Sequence, residues 1–224
     1  RDLHSFLHDA LPIFVVFDKP PAIEVTGENS LTTYAKKIYK NNPNDFVEPC
    51  HRLDRNTSGA ILYARNKVSL EVLLNAFKNH LIEKHYICVV YGIPQKKNDR
   101  LEAFLFKDSK KSLVYISDVQ KRGYQKIITS YKLLKSNPNK NISLLDINIE
   151  TGKTHQIRAH LAHIGHPIIG DGKYGINNVN KKFNLKIQTL SSYSLKFNLP
   201  NSEALSYLNN ITIKQKNIPF TNLL

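Results

Sequence analysis

The chain of 224 residues contains no methionine, only two cysteines, and far fewer acids than bases, 18 Asp+Glu against 32 Lys+Arg. Cys50 and Cys88 cannot build a disulfide framework, so reduced thiols in a cytoplasmic protein are expected. No apolar run reaches the length of a membrane span and no signal-peptide pattern is present, which leaves no membrane partner to expect. Without its own initiator, the sequence is expected to continue upstream. Residues 1–12 are poorly patterned, and 13–224 read as one domain. No internal repeat or long linker interrupts it.

The shortage of acids leaves a formal charge of +14, which suits a polyanionic partner. Lysine supplies 25 of the 32 bases, and much of that excess reads equally well as a solvated face in a Lys-, Asn- and Ile-rich chain. The seven arginines say more. Arg52, Arg55 and Arg158 fall inside the two densest motifs, where a planar fork can make bidentate or stacked contacts that lysine cannot.

The first motif is His51-Arg52-Leu53-Asp54-Arg55-Asn56-Thr57-Ser58-Gly59. It sets one carboxylate between two guanidiniums, so Asp54 is expected to stay ionised, fit to attack or to take a proton rather than to donate one. Cys50 directly precedes it, but neighbours in an extended strand point to opposite faces, which disfavours a Cys–His pair. The second is Glu150-Thr151-Gly152-Lys153-Thr154-His155-Gln156-Ile157-Arg158, a strand end passing through glycine into a helix start. Backbone N–H groups, Lys153, Thr154 and His155 are expected to face an anion there. Gly-Lys-Thr is not a nucleotide-binding P-loop, since that pattern requires glycine where Ile147 stands. His155, His160, His163 and His166 invite a metal reading. Helical spacing turns His155 about 140° away from His160, and there is no His-Glu-x-x-His pair, so capping, packing or RNA contact is expected instead.

Periodicity predicts strands at Ile13 to Phe17, Ala60 to Ala64, Lys84 to Tyr91, Ile127 to Leu134 and Ile142 to Ile149, with exposed hairpins across 95–125. A half-buried strand is predicted around Tyr193, Leu195, Phe197 and Leu199. Helices are predicted from Ser30 to about Lys40, ended by Asn41-Asn42-Pro43-Asn44, from Lys67 to about His80, and from Thr154 to Ile164. The second helix is expected to bury Leu70, Leu73, Leu74, Phe77 and Leu81. Runs of strands with few helices between them predict an α+β fold on a mixed, largely antiparallel sheet. Glycosidic hydrolysis normally needs two carboxylates. Asp171, in Gly170-Asp171-Gly172-Lys173-Tyr174-Gly175, is the only second candidate, and it reads first as a tight turn.

Taken together, Lys19-Pro20, the His51 to Gly59 motif, Lys84-x-Tyr86, Thr151 to Arg158, Gly165-His166-Pro167, Gly170-Asp171 and Tyr174-Gly175 resemble the RluA-type ribosomal pseudouridine synthases. The resemblance implies the catalytic fold of that family, a sheet flanked by helices, and a uridine isomerase acting on structured RNA, most of all large-subunit ribosomal RNA, without cofactor or metal. It makes Asp54 the catalytic aspartate, Tyr86 the tyrosine against the target base and Arg158 the ion-pair partner of Asp54. Arg52 would help extrude the nucleotide and fill its place in the stack. Arg55, Lys153, Thr154, His155 and Gln156 are expected on the RNA side. Asp54 would act by attack at C1′ or by taking a 2′ proton, and either route fits.

Three positions depart from the family pattern: Asn56 where an acid is common, Lys153 for a usual arginine, and Pro21-Ala22 in a loop that normally carries a glycine after Lys-Pro. The small N-terminal RNA-binding domain of many relatives is absent from this sequence. A catalytically silent RNA-binding or ribosome-assembly module, a synthase acting on tRNA, and a base-excising hydrolase are the rival readings.

Overall fold

The computed structural model describes residues 13–39, 45–199 and 205–224, so residues 1–12 and the predicted turn at 41–44 lie outside it. The fold is α+β, with four α-helices among the described residues and a mixed, mostly antiparallel sheet. The chain divides into two compact units. The first holds the residues up to Lys84 with Ser192–Gln215, and the second holds His85–Ser191 with Lys216–Leu224.

In the first unit β1 (Phe14–Lys19) and the short β2 (Glu48–Pro49) each pair antiparallel with β3 (Ser58–Ala64), β1 in a register that sets Lys19 opposite Gly59. The Pro20-Pro21 step ends β1 as predicted, because proline offers no N–H to the ladder. Helix α1 (Leu31–Tyr39) starts at Ser30, whose Oγ accepts from Thr33 N at 3.3 Å. Helix α2 (Lys67–Lys78) is capped in the same way by Asn66, which accepts from Ser69 N at 2.7 Å. Leu62, Leu73, Ala76, Leu195 and Phe197 form the centre of this unit's core, with Leu70, Phe77 and Leu81 packed against it. Leu74 does not join them. It is exposed, and Ala76 takes the buried position, since the helix presents a narrow stripe to the sheet.

The late strand β9 (Leu190–Phe197) is more buried than its alternation suggested. Ser191, Ser192 and Ser194 are buried along with Leu195 and Phe197, so the polar positions of the pattern are filled by small hydroxyls rather than by a solvated face. Its outer edge carries β10 (Thr212–Lys214).

The second unit orders β4 (Ile82–Tyr91, from His85 onward), β8 (Ile142–Ile149), β7 (Gln125–Asn137), β5 (Asn98–Asp108) and β6 (Leu113–Ser117), each antiparallel to its neighbour. Ala103, Leu105, Val114 and Ile127 meet Ala159 of helix α3 (Gln156–His163) beneath this sheet. The hairpins expected across 95–125 are therefore β5 and β6, with the turn between them held by Asp108 Oδ1, which accepts from Lys110 N and Lys111 N, both at 3.0 Å. Helix α3 begins two residues later than predicted. His155 is left-handed at φ 53°, which no helical residue can be, so winding starts at Gln156. A short helix, α4 (Asn177–Lys182), follows the glycine-rich loop.

Candidate active site

The His51 to Gly59 motif in the first unit is a turn clamped from below. Thr57 N donates to the Asp54 carbonyl at 3.0 Å, closing the turn, while buried Leu53 and Thr57 anchor its two ends. Gly59 ends it at φ 107°, a conformation that an L side chain rarely adopts, just where β3 begins. Arg52 and Arg55 are exposed and Asp54 is partly exposed, so the charged residues lie at the surface and the apolar ones beneath.

The clamp is Lys19, which sequence reasoning noted only as part of a Lys-Pro pair. It is completely buried. Its ammonium donates to three carbonyls, Ile23 at 2.7 Å, Arg55 at 2.8 Å and Pro20 at 3.1 Å, and so ties the loop after β1 to the residue next to Asp54. Arg55 Nε returns the tie by donating to the Ala22 carbonyl at 3.2 Å, which gives this exposed arginine a structural task. Burial draws Lys19 down to about 8, opposed by attraction to Asp54 and Glu24. Ala22 is left-handed at φ 69°, so the departure from a glycine-bearing loop noted above falls where glycine would be unstrained.

Cys50 and His51 serve the scaffold. Burial pushes the Cys50 thiol up to about 12, far from a thiolate nucleophile. His51 stacks on Phe77 with ring centroids 4.5 Å apart, and its Nε2 accepts from Leu62 N at 3.1 Å. Burial first, and the Lys84 charge second, lower its pKa to about 3, so the ring is neutral.

In the second unit Arg158 grips Asp171 in a fork, Nε to Oδ2 at 2.7 Å and Nη2 to Oδ1 at 2.9 Å, with both side chains buried. Asp171 is a turn former as well, its Oδ1 accepting from Lys173 N at 2.8 Å and Tyr174 N at 3.1 Å. Burial by itself would raise this carboxyl, but the Arg158 guanidinium and the two backbone N–H groups outweigh it and hold the pKa below the ordinary carboxylate value. Asn180 fixes the loop from behind, accepting from Gly170 N at 2.6 Å and donating to the Asp171 carbonyl at 3.0 Å. A Cβ at Gly170 would lie 2.1 Å from the Ile187 carbonyl oxygen, which explains the glycine. The Arg158 guanidinium lies 5.3 Å from the Tyr174 ring centroid. Tyr174 Oη in turn accepts from Val114 N at 2.9 Å and bonds His155 Nδ1 at 2.8 Å.

Two expectations for the helix start need correction. Gln156 is buried, and both ends of its amide are spent inside the protein. Its Oε1 accepts from Thr151 Oγ1 at 2.8 Å and Lys153 N at 3.1 Å, and its Nε2 donates to the Ile128 carbonyl and Thr129 Oγ1, both at 3.0 Å. Gln156 is thus a bracket for the turn and not an RNA contact. The Lys153 N–H, expected to face an anion, is turned inward by the same bracket. The Lys153 and Thr154 side chains remain exposed, and His155 is partly so. His160 is buried against Thr129 Oγ1 at 3.0 Å, with burial lowering its pKa to about 4, and His163 pairs with Asp118 at 2.8 Å. Tyr86 sits in β4 opposite Ile147 and is 7% exposed. Asp171 is the turn former that the sequence suggested, but its fork to Arg158 and the supporting parts of Tyr174 and Asn180 came only with the structure.

Comparison with known proteins gives the family. Residues 13–163 match the family described as RNA pseudouridylate synthase. A ribosomal large subunit pseudouridine synthase C from Rickettsia bellii is 38% identical over 163 residues, covering 72% of this chain and 54% of the relative. One of the same name from Buchnera aphidicola is 34% identical over 190 residues, covering 80% of this chain and 58% of the relative. The chain spans about half the length of the curated relatives it matches. The structure of human RNA pseudouridylate synthase domain containing 1 superposes with a TM-score of 0.75 at 20% identity, over 91% of this chain and 80% of that one, a likeness of fold. With its two motifs folded into a clamped aspartate turn and a buried arginine fork, and a family match running from residue 13 to residue 163 of 224, the chain belongs to the RNA pseudouridylate synthase family.

Proposed function

We propose that this protein isomerises uridine to pseudouridine in structured RNA, with large-subunit ribosomal RNA as the substrate, in the cytoplasm. The observation that carries the reading is the Asp54 turn, held rigid through its backbone by Lys19 and Thr57 within a motif that belongs to this family. The reaction consumes no water and needs no cofactor. The N1–C1′ bond breaks, the uracil rotates in place, C5 bonds to C1′, the C5 proton leaves and N1 gains one.

Asp54 acts on the ribose, by attack at C1′ or by removing the 2′ proton. Because the uracil is its own returning partner, one carboxylate suffices where a hydrolase needs two. Tyr86 lies against the base and assists loss of the C5 proton. Arg158, whose Nε and Nη2 are fixed by Asp171, supplies the counter-charge for Asp54. Arg52, exposed beside Asp54, takes the place of the extruded nucleotide. Arg55, Lys153, Thr154 and His155 bind the RNA backbone.

The test is pseudouridine mapping on large-subunit ribosomal RNA and tRNA incubated with the protein and with Asp54→Asn. The protein should modify discrete uridines in the ribosomal RNA, and the variant should bind the RNA but modify none. Activity retained by Asp54→Asn would overturn the assignment. Modification of tRNA alone would move the substrate, release of free uracil would make the protein a hydrolase, and binding without any chemistry would make it a silent RNA-binding module.

A further inference from the structure

The edge of the second unit carries a surface that the reaction does not use. On one face of the β5–β6 hairpin Phe106 stands directly opposite Tyr115, and they are 38% and 40% exposed. Beyond them the chain turns at Lys121 to Tyr124, where Tyr124 N donates to the Lys121 carbonyl at 3.0 Å. This turn lays the Tyr124 ring over Phe106, with centroids 5.4 Å apart and planes within 26°. Gly123 lies beside the same ring, where a Cβ would make an ordinary contact at 3.7 Å. Large aromatic faces seldom stay at the surface of a hairpin unless something covers them.

The charge around these rings has one sign. From Phe106 through Lys126 there are six Lys and Arg and two Asp. Both acids are engaged elsewhere, Asp108 in its own hairpin turn and Asp118 with His163. Lys126 pairs with Glu102 at 2.7 Å. Lys107, Lys110, Lys111, Lys121 and Arg122 are all exposed, and the Lys121 ammonium lies 5.8 Å from the Tyr124 ring centroid. Lysines on an edge strand can serve merely to prevent edge-to-edge pairing. That account leaves the row of exposed rings unexplained, whereas rings with cations at their margins match what an unpaired base and its phosphates require.

We propose that this face is a docking platform for single-stranded RNA, on which an unpaired base stacks against the Phe106, Tyr115 and Tyr124 rings while Lys121 and Arg122 neutralise the adjoining phosphates. The proposal rests on the RNA reading above and adds a second point of contact to it. The platform is fixed within its own unit. Lys173 Nζ donates to the Ser112 carbonyl at 2.6 Å, and Val114 N donates to Tyr174 Oη. The hairpin is thereby bolted to the loop in which Asp171 holds Arg158. RNA held there would approach the second unit's part of the site at a set distance.

The experiment is fluorescence anisotropy of the full chain with a labelled oligouridylate of about 12 nucleotides and with an RNA duplex of similar charge. The single strand should bind more tightly than the duplex. Joint Phe106→Ala and Tyr124→Ala substitution should weaken single-strand binding about tenfold or more and leave duplex binding nearly unchanged. Phe106→Tyr, which keeps the ring, should retain affinity. Because the double variant removes packing from the hairpin, a second pair leaves every ring in place: Lys121→Gln with Arg122→Gln should make the salt dependence shallower by about 0.7 for each contact removed. Unchanged affinity and salt dependence in both pairs overturn the platform while leaving the isomerase reading untouched. Weakened binding in a protein that isomerises no uridine upholds the platform and overturns that reading. Self-association of the unsubstituted chain that is lost in the double variant, with RNA affinity unchanged, would make the face a contact between two copies and overturn the proposal.

Discussion

The turn that carries Asp54 and the loop that carries Asp171 both fix an aspartate in place, by opposite means. Asp171 does the work with its own carboxylate, which is fully buried, forked to Arg158 and bonded to two backbone N–H groups. The Asp54 turn is held through main chain as well, by Thr57 N on the Asp54 carbonyl and by the Lys19 ammonium on the carbonyl of Arg55. The carboxylate at Asp54 stays partly exposed. On the proposed reading, a group that meets the substrate is held on a turn braced through its backbone, and a group that holds an arginine is spent in doing so.

The sharpest way to break this contrast is to neutralise each acid. Asp54→Asn should lower pseudouridine formation at least about 1000-fold while leaving the urea midpoint almost unchanged. Asp171→Asn should do the reverse in kind, costing about 3 to 5 kcal/mol of stability because it leaves a buried guanidinium without its charge partner. Urea titration checks both. The Asp171 contribution is complete above the ordinary carboxylate pKa and is lost as pH falls through the lower folded-state value. Acid should therefore destabilise the unsubstituted chain more steeply than Asp171→Asn. If both variants unfold alike, the two loops are not built differently.

Lys19 offers the next test. Lys19→Met should cost about 2 kcal/mol, since three buried carbonyls lose a charged donor, and it should slow catalysis without touching substrate. The pH dependence has two signs. Between about 8 and the ordinary lysine pKa the unfolded chain keeps a proton that the folded chain has lost, so stability rises with pH across that window. Activity should fall over the same range as the clamp loses its charge and a donor. Denaturant titrations and rate profiles compared with Lys19→Met, which should lack both trends, check this. The smallest effect belongs to Ala22→Gly, which should stabilise the clamp loop by up to about 1 kcal/mol by relieving the left-handed alanine; a lower melting temperature would show that the alanine's Cβ is needed.

Much of this site could be read in advance where the information is local. The Asp54 motif, its turn and the glycine at its end lie within nine consecutive residues, His51 to Gly59. The Ser30 cap and the strand that stops at Pro20 were likewise legible from neighbours in the chain. The start of α3 was misread because the bracket on it is made by Gln156 reaching back to Thr151 and across to Ile128 and Thr129 on another strand. Leu74 fitted the helical stripe as well as Leu73 did, and only the sheet beneath decided which of them was buried.

The sequence by itself determined the family and the alternation of strands and helices, because motifs, caps and periodicity are written in residues close together along the chain. Only the tertiary structure decided that Lys19 is a buried clamp, that Arg158 is forked to Asp171, and that a half-buried Tyr124 ring stacks on the exposed Phe106 ring. Burial and charge pairing depend on which distant segments arrive at the same place, and no spacing along the chain records that.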